Sequence, residues 1–189
     1  AMRIVVVLLD GYRRNVGNDV PPIPDDARLL RIHVSGDFDT SEYIRAWVAR
    51  LRERPDVAAW AYTRSWRCHS LLEFLEELRA LPNVQLFASM DASTKELPPA
   101  GWRRAWIWRD APTDWPMERR LMRSRRAGDT GDNMWARPDG TPAYVCPEET
   151  GRKPDCVACG YCFKGKKHDV VFIEHFGRPR VDALRTLGG

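Results

Sequence analysis

Four cysteines fall within seventeen residues of this chain: Cys146, Cys156, Cys159 and Cys162, spaced C-x9-C-x2-C-x2-C. Thiols so crowded on a short stretch containing Pro147, Gly151, Pro154 and Gly160 have three chemical uses. They hold a metal ion, hold an iron–sulfur cluster, or form disulfides. Disulfides suit small secreted chains that lack a sufficient core. A chain of 189 residues buries a substantial core without such staples. No apolar h-region follows a basic start, and no run of about eighteen apolar residues suggests a membrane span. Ala1 before Met2 reads as a vector scar. The expectation is a cytoplasmic protein with reduced thiols and no membrane partner.

Between the two inorganic choices, spacing is the guide. Structural zinc usually takes two separated C-x2-C pairs, or a Cys pair with a His pair. Here three cysteines follow one another at two-residue intervals, which resembles the C-x2-C-x2-C of bacterial ferredoxin loops. Gly160 permits the tight curl that aims successive thiolates at one polynuclear object, and Cys146 approaches from a separate strand end. Pro147 directly after Cys146 stiffens the backbone and removes an amide donor. The spacing predicts a [4Fe–4S] cluster on Cys146, Cys156, Cys159 and Cys162, with Zn2+ as the alternative. His168 and His175 are close enough in sequence to stand in for Cys146, but four thiols already suffice. The fifth cysteine, Cys68, stands alone and is expected to be a small buried hydrophobe with no role.

The formal net charge is +4, with arginine far outnumbering lysine. The excess is uneven: between Trp102 and Arg126 lie eight arginines against three acids, interleaved with Trp102, Trp106, Trp108 and Trp115. Arginine among aromatics is a nucleic-acid-like combination, through phosphate contacts and base stacking. The competing expectation is tryptophans in the core and arginines on a solvated helix face.

The elements that must position these groups alternate. Residues 3–9 form an apolar β-branched run read as a strand, and residues 15–27 hold enough Gly, Asn and Pro to be loop. Leu29–Val34 reads as a strand. Asp39 and Thr40 offer N-cap oxygens to a helix carrying Tyr43, Ile44, Trp47, Val48 and Leu51 on one face, closed by Pro55. Val57–Tyr62 is the next strand. Ser70 and Glu73 form a capping-box pattern for a helix with Leu71, Leu72, Leu75 and Leu78 on its apolar face, closed by Pro82. Val84–Ser89 and Ala105–Trp108 follow as strands, then a short helix over Met117–Arg126 and a loop over 127–142. Val170–Ile173 is the last strand. Strands alternating with amphipathic helices predict an α/β fold with a parallel sheet, too short for an eight-fold barrel. A partial barrel or open sheet results, a single α/β domain over 2–189 with a cysteine-rich cluster-binding loop over 143–168.

In such folds ligands bind beyond the carboxyl ends of the strands. Three strand ends carry polar residues there, so Asp37, Arg64, Arg67 and Asp91 are the ligand-binding candidates, with Gly36 allowing close backbone approach. Ordinary capping by Asp, Ser and Thr is the competing account of these positions. His33 lies within a predicted strand and is expected to pack rather than ligate. His69 sits next to a predicted helix start.

Several stretches together resemble a known family. Arg-Ile-His-Val-Ser-Gly-Asp-Phe (31–38), Glu-Tyr-Ile-x-x-Trp (42–47), Tyr-Thr-Arg-Ser-Trp-Arg (62–67) and Asn-Val-x-Leu-x-x-Ser-x-Asp (83–91) are similar to the gene-product-eighty-eight family of actinobacterial phages and prophages. Cys-Pro (146–147), Cys-x2-Cys-Gly-x-Cys-Phe (156–163) and Val-x-Phe-Ile-x-His (170–175) fit its C-terminal part. The resemblance covers roughly residues 28–176 and implies no particular activity. It implies the host cytoplasm if the chain is phage-encoded. Longer members carry a further N-terminal cysteine segment, and no cysteine precedes Cys68 here. The βαβ order with a polar rim is also similar to radical-SAM partial barrels. Those enzymes need a three-cysteine motif on an early loop and an iron left open for SAM. That motif is missing from the expected place, and a cluster held by four cysteines has no open iron.

The expected function is therefore an iron–sulfur protein of phage type whose cluster is structural or redox-active. One alternative is a zinc-stabilised nucleic-acid-binding module using residues 102–126 together with Lys164, Lys166 and Lys167. Another is a radical-SAM-like enzyme with an atypical cluster, acting at the rim of Asp37, Arg64, Arg67 and Asp91.

Overall fold

The computed structural model describes residues 3–6, 20–33, 36–91, 93–107, 134–136, 142–149, 153–164 and 168–172. Its strands are β1 (Arg3–Val6), β2 (Ala27–Ile32), β3 (Ala58–Thr63), β4 (Val84–Met90), β5 (Arg103–Ile107), β6 (Met134–Ala136), β7 (Pro142–Val145) and β8 (Asp169–Phe172). Its helices are α1 (Ser41–Glu53), α2 (His69–Arg79) and the single turn α3 (Cys156–Cys159). The strands form one sheet in the order β1-β2-β3-β4-β5-β8-β7-β6, an open half-barrel. All neighbours pair in parallel except β6, which is antiparallel to β7.

The α/β alternation anticipated from periodicity is present. Thr40 is the N-cap of α1, its hydroxyl accepting the amide of Tyr43 at 3.2 Å. The apolar stripe of Tyr43, Ile44, Trp47, Val48 and Leu51 is buried against the sheet. Removing such a stripe from water is the main stabilising term of a surface helix. α2 presents Leu75 and Leu78 to the same core, with Leu71, Leu72 and Phe74 packed at its margin.

Four local expectations are corrected. Cys68, not Ser70, occupies the N-cap of α2, and no side chain caps it. The chain enters α2 directly from a 3-10 turn (Ser65–Arg67), which places Ser70 inside the first helical turn. Cys68 itself is exposed rather than buried. His33 does not lie in a strand. β2 ends at Ile32, and His33 turns the chain with φ +60°, a left-handed conformation that marks a break in extended backbone. The stretch 127–142, read as loop, contains β6, whose partner β7 supplies the pairing that a Gly/Pro-rich local sequence does not reveal. The predicted helix over Met117–Arg126 lies outside the described residues.

Alternation along the strands divides their side chains between two faces. Leu30, Ile32, Ala59, Ala61, Leu86 and Ala88 join the core under α1 and α2. Phe87, Ala105 and Val170 point to the opposite face, together with Tyr62, Tyr144 and Phe172. That second face is covered by the segment joining β7 to β8, since Tyr161, Cys159 and Cys162 pack there. Strand order explains why. From β2 to β4 the chain steps one way across the sheet through α1 and α2, but β8 lies between β5 and β7, so the step from β7 to β8 runs the other way. Parallel neighbours need a crossover, and right-handed crossovers running in opposite directions lie on opposite faces. The cysteine segment occupies the place that a helix usually fills.

Candidate metal centre

Each cysteine is positioned by a local device. β7 ends at Val145 and delivers Cys146 to the carboxyl edge of the sheet, where its amide donates to the Val171 carbonyl of β8 at 2.9 Å. The amides of Glu149 and Glu148 then turn back and donate to the Cys146 sulfur. Pro147 between them has no amide, so the turn leaves no competing donor at that position. Asp155 caps α3, its carboxylate accepting the Ala158 amide at 2.8 Å. Cys156 and Cys159 are three residues apart on this turn and therefore share one side of it. Gly160 ends the turn with φ +69°, its amide bonded to the Cys156 carbonyl at 2.8 Å. A side chain is strained in that conformation, which is why the spacing C-x2-C-Gly-x-C works. The reversal brings Cys162 under the loop, where the Tyr62 hydroxyl of β3 donates to its sulfur at 3.0 Å.

All four cysteines line one cavity of about 470 Å³ between the loop and the sheet. Their thiols are not at ease there as anions. Burial pushes Cys146 up to about 12 and Cys162 up to about 11, against donated hydrogen bonds that pull each of them down. Burial also raises Cys156, with the Glu148 carboxylate adding to the rise and the Arg31 guanidinium opposing it. Such a set is protonated and inert, or it is deprotonated by a bound metal whose positive charge replaces the lost hydration. Among the described residues, no three His, Cys, Asp or Glu side chains are grouped so that they could hold a metal ion.

The aromatic and cationic neighbours of the sulfurs were not anticipated. Tyr62 is tilted against Phe87 and edge-on to Phe172, with both ring centroids at 5.1 Å. Its hydroxyl is pushed well above the usual phenol range, first by burial and then by the Cys162 sulfur, so it remains a donor. Tyr144 stacks on Tyr161 at 4.1 Å. Arg103 lies between Phe87 and Tyr161, its guanidinium 4.0 Å and 5.1 Å from the two ring centroids. It donates to the His168 carbonyl at 2.8 Å, which ties β5 to the end of the cysteine loop. The available signal was a charged or hydroxyl-bearing residue inside an apolar strand: Arg31, Tyr62 and Arg103 all interrupt such runs.

The structure brings three of the four rim candidates together. Asp37 accepts the Arg64 amide at 2.6 Å and the Phe38 amide at 2.8 Å, and also takes a short hydrogen bond from the Thr63 hydroxyl. The Arg64 guanidinium pairs with Asp91 at 2.7 Å. Asp91 accepts from the Ser93 amide and from the hydroxyls of Ser93 and Thr94, and these bonds hold its carboxyl below the usual carboxylate range. The ends of β2, β3 and β4 thus meet, through bonds of the capping type. Arg64 lines the cysteine cavity, whereas Arg67 turns outward to Glu96 at 3.3 Å.

His33 packs as expected. Its ring lies 4.7 Å from Phe38 and 5.7 Å from Tyr43, and Nε2 is 2.9 Å from the Tyr43 hydroxyl. His69 opens α2, and His168 offers its backbone carbonyl to Arg103. His175 lies outside the described residues, as do Lys166, Lys167 and residues 108–126 of the Arg/Trp segment. Within the described part of that segment, Trp102 and Trp106 are core and Arg103 is buried, while Arg104 is bound to Asp169 at 2.6 Å. No helix among the described residues is long and apolar enough to cross a membrane.

Over 64 residues the chain is 41% identical to the Gene 88 protein of Mycobacterium phage L5 and 38% identical to that of Mycobacterium phage D29. The matched stretch is 34% of this chain and 25% of each relative, so it spans a quarter of the relatives' length. No solved structure matches, so the likeness to radical-SAM barrels has no structural neighbour behind it. The Gene product 88 family matches residues 19–165, a span running from the approach to β2 through three of the cavity cysteines to Cys162, and the chain belongs to that family.

Proposed function

We propose that Cys146, Cys156, Cys159 and Cys162 hold a [4Fe–4S] cluster between the sheet and the β7–β8 crossover, and that the cluster is structural or redox-active. The observation that carries this reading is the shared cavity lined by all four thiols, with hydrogen-bond donors already aimed at two of the sulfurs. The alternative, a Zn2+ ion, would take the same thiols about 2.3 Å from one point.

Such a group, when bound, supplies one-electron chemistry or a covalent staple across the loop. The chain's own residues do the rest. The four cysteines give up their thiol protons on loading. The amides of Glu148 and Glu149 and the Tyr62 hydroxyl stabilise negative charge on the sulfurs. Tyr62, Tyr144 and Phe172 line the site, and burial and hydrogen bonding to sulfur are the levers that set a cluster's potential. We place this chemistry in the reducing cytoplasm of a phage host, where free thiols persist.

Anaerobic purification followed by metal analysis tests the reading. About four irons per chain and a broad band near 400 nm are expected for such a cluster. Cys146→Ala is expected to lower iron to below about one per chain; iron retained on the three remaining thiols would favour the alternative with an open iron. A colourless protein carrying one zinc per chain overturns the proposal.

A further inference from the structure

The cavity is larger than the cysteines require. Its 470 Å³ is in the range of small-molecule sites, about 300–1,000 Å³. An eight-atom inorganic core occupies only part of such a volume. The remainder is bounded by Trp60, Met90, Trp106 and Phe163. Trp60 and Phe163 lie at 5.1 Å with their planes 38° apart, giving the space flat apolar walls. One side of the space is formed by β2, β3, β4, β5 and β8 and the other by the cysteine segment, at the place where the strand order reverses direction. That is where open α/β sheets bind ligands.

One charged group in this space has no ion-pair partner among the described residues. Arg31 is the penultimate residue of β2 and points to the cavity side, its Cζ 5.3 Å from the Tyr62 ring centroid. Its Nε is fully buried with no hydrogen-bond partner among the described residues. No ion pair among the described residues involves it. The contrast with its neighbours is informative. Arg64 at the cavity rim is held by Asp91, Arg104 by Asp169, and Arg103 by carbonyls and two aromatic rings. Arg31 is half-buried, its Nε covered and its fork open to the cavity side, and that planar fork matches a carboxylate or phosphate. The acids on the cavity, Glu148 and Glu149, belong to the Cys146 turn, and neither pairs with Arg31.

We infer that the cavity beside the cysteines binds a planar organic anion, its carboxylate or phosphate head held by Arg31 and its apolar body lying against Trp60 and Phe163. The inference goes beyond the cluster reading and stands on different residues. The guanidinium supplies orientation and selects for charge. The aromatic walls supply most of the buried area, as in other small-molecule sites. Arg64, already neutralised by Asp91, stands at the mouth and is not the anchor.

The test is calorimetric titration of the anaerobically purified full chain with naphthalene-2-carboxylate, 2-naphthyl phosphate and neutral naphthalene-2-carboxamide. At least one of the two anions is expected to bind one per chain, at least tenfold tighter than the amide; which of them binds better identifies the head group. Arg31→Gln is expected to erase the preference for charge and leave amide binding unchanged, while Arg31→Lys keeps part of it. Equal binding of anions and amide to the wild-type chain overturns the inference without recourse to any variant. So does the absence of binding at millimolar concentration, or a preference that survives in Arg31→Gln. Iron measured on the same samples separates the two readings. A chain without iron that still prefers the anion removes the cluster and keeps the anion site. An Arg31→Gln chain that loses iron but keeps the preference makes Arg31 a counter-charge to the sulfurs and removes the anion site.

Discussion

On the face of the sheet covered by α1 and α2, Trp47, Ile44, Leu51, Leu75 and Leu78 are fully buried in one continuous apolar cluster. On the face covered by the cysteine loop, the cluster is small and aromatic and encloses a cavity. The first face is packed by regular helices whose stripes interlock with the strands. The second is roofed by a crossover with one helical turn, held by a cap, a left-handed glycine and bonds to sulfur. The contrast teaches a division of labour. Close packing supplies stability on the helix face, and the thinly roofed face encloses open volume at the cost of stability.

Ways to break this contrast can be ordered by expected effect. Trp47→Ala on the helix face should destabilise the chain by about 3–5 kcal/mol, the usual cost of emptying a large buried aromatic site. Chemical denaturation measures it, and a loss below about 1 kcal/mol would mean the helix face is not the stabilising one.

Next comes acid sensitivity at the edge of that face. Burial holds His33 down to about 4 from its ordinary 6.5, with Asp37 and Asp39 opposing the shift. The unfolded chain therefore takes up a proton at His33 that the folded chain refuses between those two values. Stability from this group is complete above pH 6.5 and is lost as pH falls towards 4. The loss is on the order of 3 kcal/mol. Unfolding midpoints of wild type and His33→Gln across that window should differ in slope. Parallel pH profiles would remove His33 as the cause.

The smallest effect belongs to the roof. Asp155→Ala removes the cap of α3 and should cost about 1 kcal/mol. Because the roof lies outside the main core, the change should speed labelling of Cys156 and Cys159 by a thiol reagent far more than it lowers the global unfolding midpoint. A midpoint shift matching that of Trp47→Ala would dissolve the distinction between the faces.

Much of the first face was legible in the residues. Tyr43, Ile44, Trp47, Val48 and Leu51 recur at helical spacing, and Thr40 supplies the cap, so α1 follows from local chemistry alone. β2, β3, β4 and β5 were likewise readable to within two residues at either end. The misses were positions where tertiary contacts overrule local preference. β6 exists through its pairing with β7, and Cys68 rather than Ser70 precedes α2 because a 3-10 turn runs straight into that helix. The rim was half legible. Asp37, Arg64 and Asp91 do meet, but Arg67 turns away to Glu96, a direction that strand-end position does not set.

For the cysteines, spacing alone determined the local part. Two-residue gaps, Gly160 and the acid before Cys156 dictate a capped turn that reverses at a glycine, since these are short-range constraints of backbone geometry. Spacing could not say which face of the sheet the loop would cover. That was decided by the insertion of β8 between β5 and β7, which sends the crossover to the side away from the helices. Only then do Tyr62, Arg31 and Arg103, distant in sequence, come to face the sulfurs and their cavity. A strand's alternation tells which residues share a face, but which of its two faces meets which covering element is settled by long-range pairing.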